Sequence, residues 1–182
     1  MGDHLSHADR YAGFSRRPRW VNARAVETEA GLDLPATGRL AGNEHRYPVR
    51  VYFEDTDLSG VVYHANYLRF FERARTEYLR LVGIDHGGQV AAGEGSYAVA
   101  DCNLRFLAPA RLDDALVVVS RLVRIRAAGV VVHQEVRRGA LVLVTATLTL
   151  AFISSAGRPV RQPHAWTAIF HGLVDQGEHP TS

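Results

Sequence analysis

One long amphipathic segment constrains the fold of this chain more than any other feature. Residues 66–83 read NYLRFFERARTEYLRLVG, and apolar residues recur in this stretch three and four positions apart. These positions are Tyr67, Phe70, Phe71, Ala74, Tyr78, Leu81 and Val82. The spacing predicts a helix with a wide apolar stripe, and Gly83 is a typical residue to end it. Such a stripe must be buried against another element of the same domain.

Strand-like segments flank the predicted helix on both sides. Before it, Tyr47, Val49, Val51 and Phe53 alternate with other residues, which is the period of a half-buried strand. After it come four β-rich runs, at residues 96–110, 115–127, 130–138 and 140–154. Short breaks before Val130 and Leu141 predict tight hairpins, so this half should be an antiparallel meander. Residues 164–173 have the spacing of a short terminal helix. The predicted fold is therefore α+β, with an antiparallel sheet wrapped around one long central helix.

The chain of 182 residues is long enough for one domain. Residues 1–45 show no sustained period and are predicted to form a poorly ordered N-terminal extension. Residues 46–173 form the predicted domain, and 174–182 a C-terminal tail. Strands of this length expose more apolar surface than one small domain covers, so a second copy is expected to pair with the first.

Composition excludes several classes of protein. The 21 basic and 19 acidic residues are interspersed and give a net charge of +2, which does not favour nucleic acid as a partner. No run of 18 or more apolar residues and no secretory leader pattern is visible, so we expect no membrane span and a soluble, cytoplasmic protein. The single cysteine, Cys102, lies in a strand-like run, where a small buried side chain is the usual reason for it.

Three carboxylates precede the helix in the sequence EDTDLSGVVYHANY, residues 54–67. Asp55 and Asp57 end the first strand, and a turn leads to a helix start near His64 to Asn66. Free N–H groups at a helix start can hold a developing negative oxygen. A carboxylate beside them can act as base or nucleophile, so the pair makes a minimal acyl-transfer site.

The same residues allow other interpretations. An acid-rich turn after a strand is common on protein surfaces. The sequence DTDLSG also resembles the start of a calcium loop, but Asn66 stands where the bidentate Glu is needed. The histidines lack companions at metal-ligand spacing, and no GxSxG motif is present. We therefore expect neither a metal nor a cofactor.

Residues 49–80, VRVYFEDTDLSGVVYHANYLRFFERARTEYLR, closely resemble the YbgC-type acyl-CoA thioesterases of the 4-hydroxybenzoyl-CoA thioesterase family. The similarity extends through LRFLAPARLDDAL at 104–116 and GRPVRQP at 157–163, and covers about residues 47–170. It implies a hotdog fold, hydrolysis of acyl-CoA to free acid and CoA, and assembly as a homodimer or homotetramer. It also implies an association with the cell-envelope Tol-Pal system. Acyl carrier protein is the alternative carrier.

The resemblance assigns roles to individual residues of the turn. Asp57, the second acid of DTD, is implied to be the catalytic carboxylate, as general base or nucleophile. His64 is implied to assist, while the backbone N–H at the helix start holds the thioester oxygen. Tyr63 is implied to line the acyl pocket, and Asn66 is grouped with it in substrate binding. Gly60 is expected to give backbone freedom or close approach.

Two further expectations come from residue chemistry. Asp55 is expected to bind the amides of the turn rather than take part in the reaction. Arg124 and Arg126, at a predicted strand end, are candidates to bind the phosphates of CoA. The alternative function is a hotdog module that binds acyl-CoA or acyl carrier protein without turnover. A hotdog dehydratase is a weaker alternative, because those enzymes resemble a different motif.

Overall fold

The structure, a computed structural model, describes residues 35–174 of the chain. Within this range it contains six strands and three helices. The strands are β1 (Arg39–Ala41), β2 (Glu44–Arg50), β3 (Ser96–Phe106), β4 (Ala115–Arg126), β5 (Gly129–Arg138) and β6 (Leu141–Ile153). The helices are α1 (Asn66–Leu81), α2 (His86–Ala91) and α3 (His164–His171).

All strands belong to one antiparallel sheet with the order β1-β2-β4-β5-β6-β3. The predicted meander is confirmed for β4, β5 and β6, but it is wrong for β3, which pairs with β6 at the edge of the sheet. A tight hairpin would have forced β3 beside β4. The connection between them is the longer segment 107–114, in which Leu107 and Ala108 donate to the carbonyl of Leu143 at 2.8 and 3.0 Å.

Helix α1 packs its apolar stripe onto the sheet, as the sequence predicts. The stripe residues Tyr67, Phe70, Phe71, Ala74 and Tyr78 are all buried. Together with the antiparallel sheet, this central helix gives the expected hotdog architecture. The core is one continuous cluster between α1 and the sheet, closed at one end by Trp166 and Phe170 of α3.

The last turn of α1 departs from the predicted stripe, because Leu81 is exposed and Val82 only half-buried. The N–H of Gly83 donates to Arg80 O at 3.1 Å, and that of Ile84 donates to Leu79 O at 2.9 Å. These two bonds form a Schellman motif, with Gly83 in the left-handed conformation at φ +80°. Ile84, which is 4% exposed, thereby supplies the burial that the spacing assigned to Leu81.

Two boundaries and one helix differ from the predictions. Regular structure begins at Arg39, so residues 39–45 contribute to β1 and β2, although the sequence predicts them as part of the extension. Residues 1–34 and 175–182 lie outside the described range. Phe53 is 82% exposed because the chain leaves the sheet after Arg50 and forms a 3-10 turn at Phe53–Asp55. Helix α2 was not predicted, since HGGQVA has two glycines; its signal is Asp85, whose side chain accepts from Gly88 N–H.

The edge position of β3 also decides the environment of Cys102. The expectation of a buried side chain is wrong, since Cys102 is exposed. Helix α1 does not cover this strand completely, and Val99 and Phe106 are 51% and 53% exposed. Within residues 35–174, no helix is both long enough and apolar enough to cross a membrane.

Candidate active site

The two aspartates of the DTD segment have different environments. Asp55 is 5% exposed, and its Oδ2 accepts the N–H of Tyr52 at 2.9 Å. Its main-chain oxygen accepts the N–H of Tyr63 and the side-chain Nδ2 of Asn66, both at 2.9 Å. Asp55 therefore holds the turn to the start of α1, which is the structural role expected for it.

Asp57 is exposed to solvent on the other side of the same turn. Its Oδ1 accepts the hydroxyl of Ser59 and, at 2.8 Å, the N–H of Ser59. These two bonds, with a smaller contribution from the nearby imidazole of His64, lower the pKa of Asp57 below its usual value. The carboxylate is therefore ionised throughout the neutral range.

A closed turn sets the position of Asp57. The N–H of Asp57 donates to Val61 O, and the N–H of Gly60 donates to Asp57 O, both at 3.0 Å. Gly60 has φ +73°, which a side chain disfavours, and no described atom lies within 4 Å of the place a Cβ would take. Backbone freedom, and not close approach of a described atom, therefore explains the glycine at this position.

Helix α1 begins without a side-chain cap. Its N-cap is Ala65, and the N–H of Asn66 donates to Tyr63 O at 2.8 Å in a tight first turn. The N–H groups of His64 and Ala65 donate to no atom of the described residues. His64 and Tyr63 are both exposed, with ring centroids 4.4 Å apart. Free amides, an imidazole and the Asp57 turn thus occur at one end of α1.

Two of the segments on which the family resemblance rests are in direct contact. Val62 N–H donates to Ala110 O at 2.8 Å, and Ala110 N–H donates to the hydroxyl of Tyr67 at 3.0 Å. Val51 N–H donates to Asp114 O at 3.1 Å. The segment 104–116 therefore supports the turn that carries Asp57. Spacing along the chain contains no signal for this contact.

The sequence-predicted site residues do not all come together. Asn66 is 7% exposed, and its amide is used to hold Asp55. Arg124 and Arg126 lie at the far end of β4, since the Arg50 end of β2, which leads to the turn, pairs with Ala115. Eleven residues of strand separate Ala115 from Arg126, about 36 Å at 3.3 Å per residue. Within one chain, these two arginines cannot join Asp57 in one site.

A different arginine lies at the end of the sheet that carries Asp57. Arg111 is exposed, and its guanidinium bonds to no described residue. By contrast, Arg50 donates to Asp113 O at 2.8 Å, and Arg138 donates to the carboxylate of Asp114 at 2.6 Å. Residues 35–174 contain no group of three or more His, Cys, Asp or Glu side chains placed to hold a metal ion.

Comparison with known proteins relates this chain to one family. Residues 59–145 match the thioesterase superfamily. The chain is 39% identical over 135 residues to the acyl-CoA thioesterase YbgC of Haemophilus influenzae, covering 74% of this chain and 99% of that protein. It is 45% identical over 93 residues to the acyl-CoA thioester hydrolase YbgC of Escherichia coli O6:H1, and the match covers 50% of this chain and 67% of that protein.

A solved structure gives the same relationship. The probable thioesterase from Bartonella henselae superimposes with a TM-score of 0.64 at 38% sequence identity, covering 66% of this chain and 99% of that one. The matched length and the identity over almost the whole of the H. influenzae protein confirm the resemblance seen in the sequence. The chain belongs to the YbgC family of the thioesterase superfamily.

Proposed function

We propose that this protein is an acyl-CoA thioesterase that hydrolyses the thioester of acyl-CoA to a free acid and CoA. One observation carries the proposal: the ionised, exposed carboxylate of Asp57 lies in the turn that Asp55 and Asn66 fix to the uncapped start of α1. The names of its relatives in H. influenzae and E. coli support the substrate class.

The reaction uses Asp57 and the free amides together. Asp57 takes a proton from water while the water oxygen bonds to the thioester carbonyl carbon. The carbonyl oxygen becomes an oxyanion, which the N–H groups of His64 and Ala65 stabilise. The C–S bond then breaks, and the proton passes from Asp57 to the sulfur of CoA. His64, beside the turn, contributes positive charge when it is protonated.

A nucleophilic route uses the same residues in another order. Asp57 attacks the carbonyl carbon, CoA leaves, and water hydrolyses the resulting anhydride. A low pKa makes Asp57 a weak base, so bound substrate must exclude water and raise that pKa for the general-base route. A single turnover in H₂¹⁸O separates the routes, because the general-base route places ¹⁸O directly in the product acid. The nucleophilic route, with water attacking the aspartyl carbonyl, places it in Asp57.

Coenzyme A is the carrier we propose, with Arg111 as the group that meets its phosphates. Its free guanidinium can form bidentate bonds to phosphate oxygens. Acyl carrier protein is the alternative, and parallel assays of both carriers with the same acyl group decide between them. An Arg111→Gln variant should raise KM for acyl-CoA and leave kcat nearly unchanged.

We also propose that the protein is a homodimer formed along β3. The eleven-residue strand β3 pairs only with β6 among the described residues, so its other edge presents free backbone groups. Its exposed apolar side chains Val99 and Phe106 favour coverage by a second copy. Light scattering after gel filtration tests the mass, and a monomer that retains full activity would contradict this assembly.

The deciding experiment is a thiol-release assay with acyl-CoA substrates on wild type, Asp57→Asn and Glu54→Gln. Glu54 is the matched control, because it is an exposed acid of the same turn whose side chain makes no hydrogen bond to the described residues. We expect Asp57→Asn to lower kcat by about 10²- to 10⁴-fold, as the loss of a positioned base does. Glu54→Gln should stay near wild type.

The competing function, binding of acyl-CoA without turnover, rests on the two bonds from Ser59 to Asp57. These bonds alone would give Asp57 a purely structural role in the turn. Calorimetric binding of acyl-CoA with no thiol release by wild type would favour that function. Equal rates for wild type and Asp57→Asn, with unchanged melting temperatures, would remove the mechanism proposed here.

A further inference from the structure

One contact between α1 and β2 contains buried polar atoms without partners. Among residues 35–174, three buried side-chain atoms make no hydrogen bond: Nδ1 of His45, Oε2 of Glu77 and the hydroxyl of Tyr78. The ring of His45 stacks on that of Tyr78, with centroids 5.0 Å apart and planes inclined by 13°. Glu77 precedes Tyr78 in the helix, so all three atoms belong to one contact. Folded proteins rarely leave buried polar atoms unpaired, and a further partner is therefore expected here.

The bonding of His45 fixes which of its ring nitrogens carries the proton. His45 is fully buried on β2, and its Nε2 lies 2.7 Å from the main-chain oxygen of Thr37. A carbonyl oxygen can only accept a hydrogen bond, so Nε2 must donate. In the neutral imidazole Nδ1 is then an acceptor. Nδ1 therefore needs a donor, and none of the residues that the structure describes supplies one.

Glu77 brings a second acceptor to the contact. Its Oε1 accepts from the guanidinium of Arg80, while its Oε2 is buried and unpaired. Burial lowers the pKa of His45, and the bond to Thr37 and the negative charge of Glu77 oppose that lowering. The carboxylate of Glu77 is therefore close enough to act on the imidazole, although Nδ1 and Oε2 do not bond to each other.

Water is the ligand whose chemistry fits two acceptors. It has two O–H groups, so it can donate one to each, and buried waters usually bond to groups that would otherwise be unpaired. Two bonds of about 2.8 Å that meet at a tetrahedral oxygen span about 4.5 Å, which is too far for a direct bond. A metal ion fits less well, since no group of three or more ligating side chains occurs within 35–174.

We propose that one water molecule is bound between Nδ1 of His45 and Oε2 of Glu77 and donates a hydrogen bond to each. A polar path then runs from Thr37 O through His45, the water and Glu77 to Arg80. Gly38 lets the chain approach this path, because a Cβ there would lie 2.8 Å from Nε2 of His45. The water thus links the segment that leads into β1 to the central helix, and the site is independent of the proposed thioesterase function.

A crystal structure of the full chain tests the site directly, at a resolution where other internal waters are visible. We expect a density peak about 2.7–3.2 Å from both Nδ1 of His45 and Oε2 of Glu77. Direct contact between the two side chains would overturn the proposal. So would a gap without density at this place while other internal waters are ordered.

The tautomer of His45 gives a second test that requires no substitution. Long-range ¹H–¹⁵N NMR of the wild-type protein at neutral pH distinguishes the two ring nitrogens. We expect the proton on Nε2, with Nδ1 as a hydrogen-bonded acceptor. A proton on Nδ1 would overturn the proposal, because Nδ1 would then be a donor and could bond to the carboxylate without a bridging donor.

Substitution at either end of the bridge should remove the water. Relaxation dispersion of water ¹⁷O counts long-lived internal waters, and His45→Phe, which keeps a ring to stack on Tyr78, should lower that count by one. Tyr78→Phe is the matched control, because it removes a hydroxyl of the same contact and neither acceptor. Its count should equal that of wild type.

An unchanged count in His45→Phe would contradict the site. If that variant does not fold, Glu77→Leu removes the other acceptor. Its partner Arg80 is exposed, so the guanidinium is left in water rather than in the core. With one bond remaining the water should no longer be long-lived, and a count equal to that of wild type would overturn the proposal in the same way.

Discussion

The side-chain amide of Asn66 donates to the main-chain oxygen of Asp55 at 2.9 Å, which ties the first residue of α1 to the turn that carries Asp57. Asp55 O also accepts the N–H of Tyr63, so the carbonyl keeps one partner when Asn66 is removed. The bond from Asn66 therefore joins the turn to the helix start, and a substitution can remove it without leaving Asp55 O unpaired.

Asn66→Ala should reduce activity more than stability. One hydrogen bond is lost while the carbonyl stays bonded, so the free energy of unfolding should fall by about 1 kcal/mol. A displaced turn should lower kcat by about tenfold or more, because small misplacements of a catalytic group are costly. Urea unfolding and thiol release measure the two effects. A loss of stability with kcat unchanged would show that this bond does not position Asp57.

Ser59→Ala should move the acid limb of the pH–rate profile. The two bonds from Ser59 are the main reason that the pKa of Asp57 lies below its usual value. The variant loses the hydroxyl bond, so the pKa of Asp57 should rise and kcat/KM should begin to fall at a higher pH than in wild type. The profile is measured from pH 3 to pH 8, with Thr56→Ala as a control that removes a hydroxyl bonded to Phe53 O. Coincident acid limbs for wild type and Ser59→Ala would contradict the assignment of Asp57 as base.

Tyr78→Phe should be neutral or stabilising. Tyr78 is buried, its hydroxyl has no hydrogen-bond partner among residues 35–174, and burial raises its pKa to about 12. Removing the hydroxyl removes the cost of burying an unpaired polar group, about 1 kcal/mol or more. Tyr97→Phe is the contrasting variant, since the hydroxyl of Tyr97 donates to Gln162 and its loss should destabilise by about 1 kcal/mol. Thermal melts of the two variants should move in opposite directions.

Stability should fall on mild acidification. Burial lowers the pKa values of His45 and His86 below the usual 6.5. At His45, the hydrogen bond to Thr37 O and the negative charge of Glu77 oppose this lowering only in part. Below about pH 6.5 the unfolded chain binds protons at these histidines that the folded chain does not, so the free energy of unfolding decreases. Above that pH their contribution is constant.

Urea unfolding at pH 7.5, 6.5 and 5.5 checks this expectation, within a range that lies above the titration of ordinary carboxylates. His45→Gln should flatten the dependence on pH, while His171→Gln, at an exposed position, should leave it unchanged. A free energy of unfolding that stays constant between pH 7.5 and 5.5 in wild type would contradict the burial effect.

Much of the fold was predictable because apolar spacing determines which side chains are buried. Phe70, Phe71 and Ala74 are on the face of α1 that the sequence predicts, and Gly83 ends the helix. The position of β3 was not predictable in this way. Pairing with β6 depends on the long segment 107–114 and on contacts far apart in sequence, for which a period of two contains no information.

The site shows the same division between local and distant information. The proximity of Asp57, His64 and the start of α1 follows from a short turn, and the sequence predicts it. The support from Ala110 and the separation of Arg126 from Asp57 depend on strand register. A register is set by the whole sheet, so residue chemistry alone did not show that Arg124 and Arg126 lie at the far end of β4 from the Asp57 turn, or that Arg111 lies at the near end.

Gln134 gives the central helix one further property. Its amide donates to Phe71 O at 3.1 Å and to Ser120 at 2.9 Å, while its oxygen accepts from Arg75. Sliding α1 along the sheet by even one turn would break this three-way junction in a fully buried place. The helix is therefore held at its middle in one position along the sheet, which also keeps its first residue, and the turn joined to it, at a constant place relative to the strands.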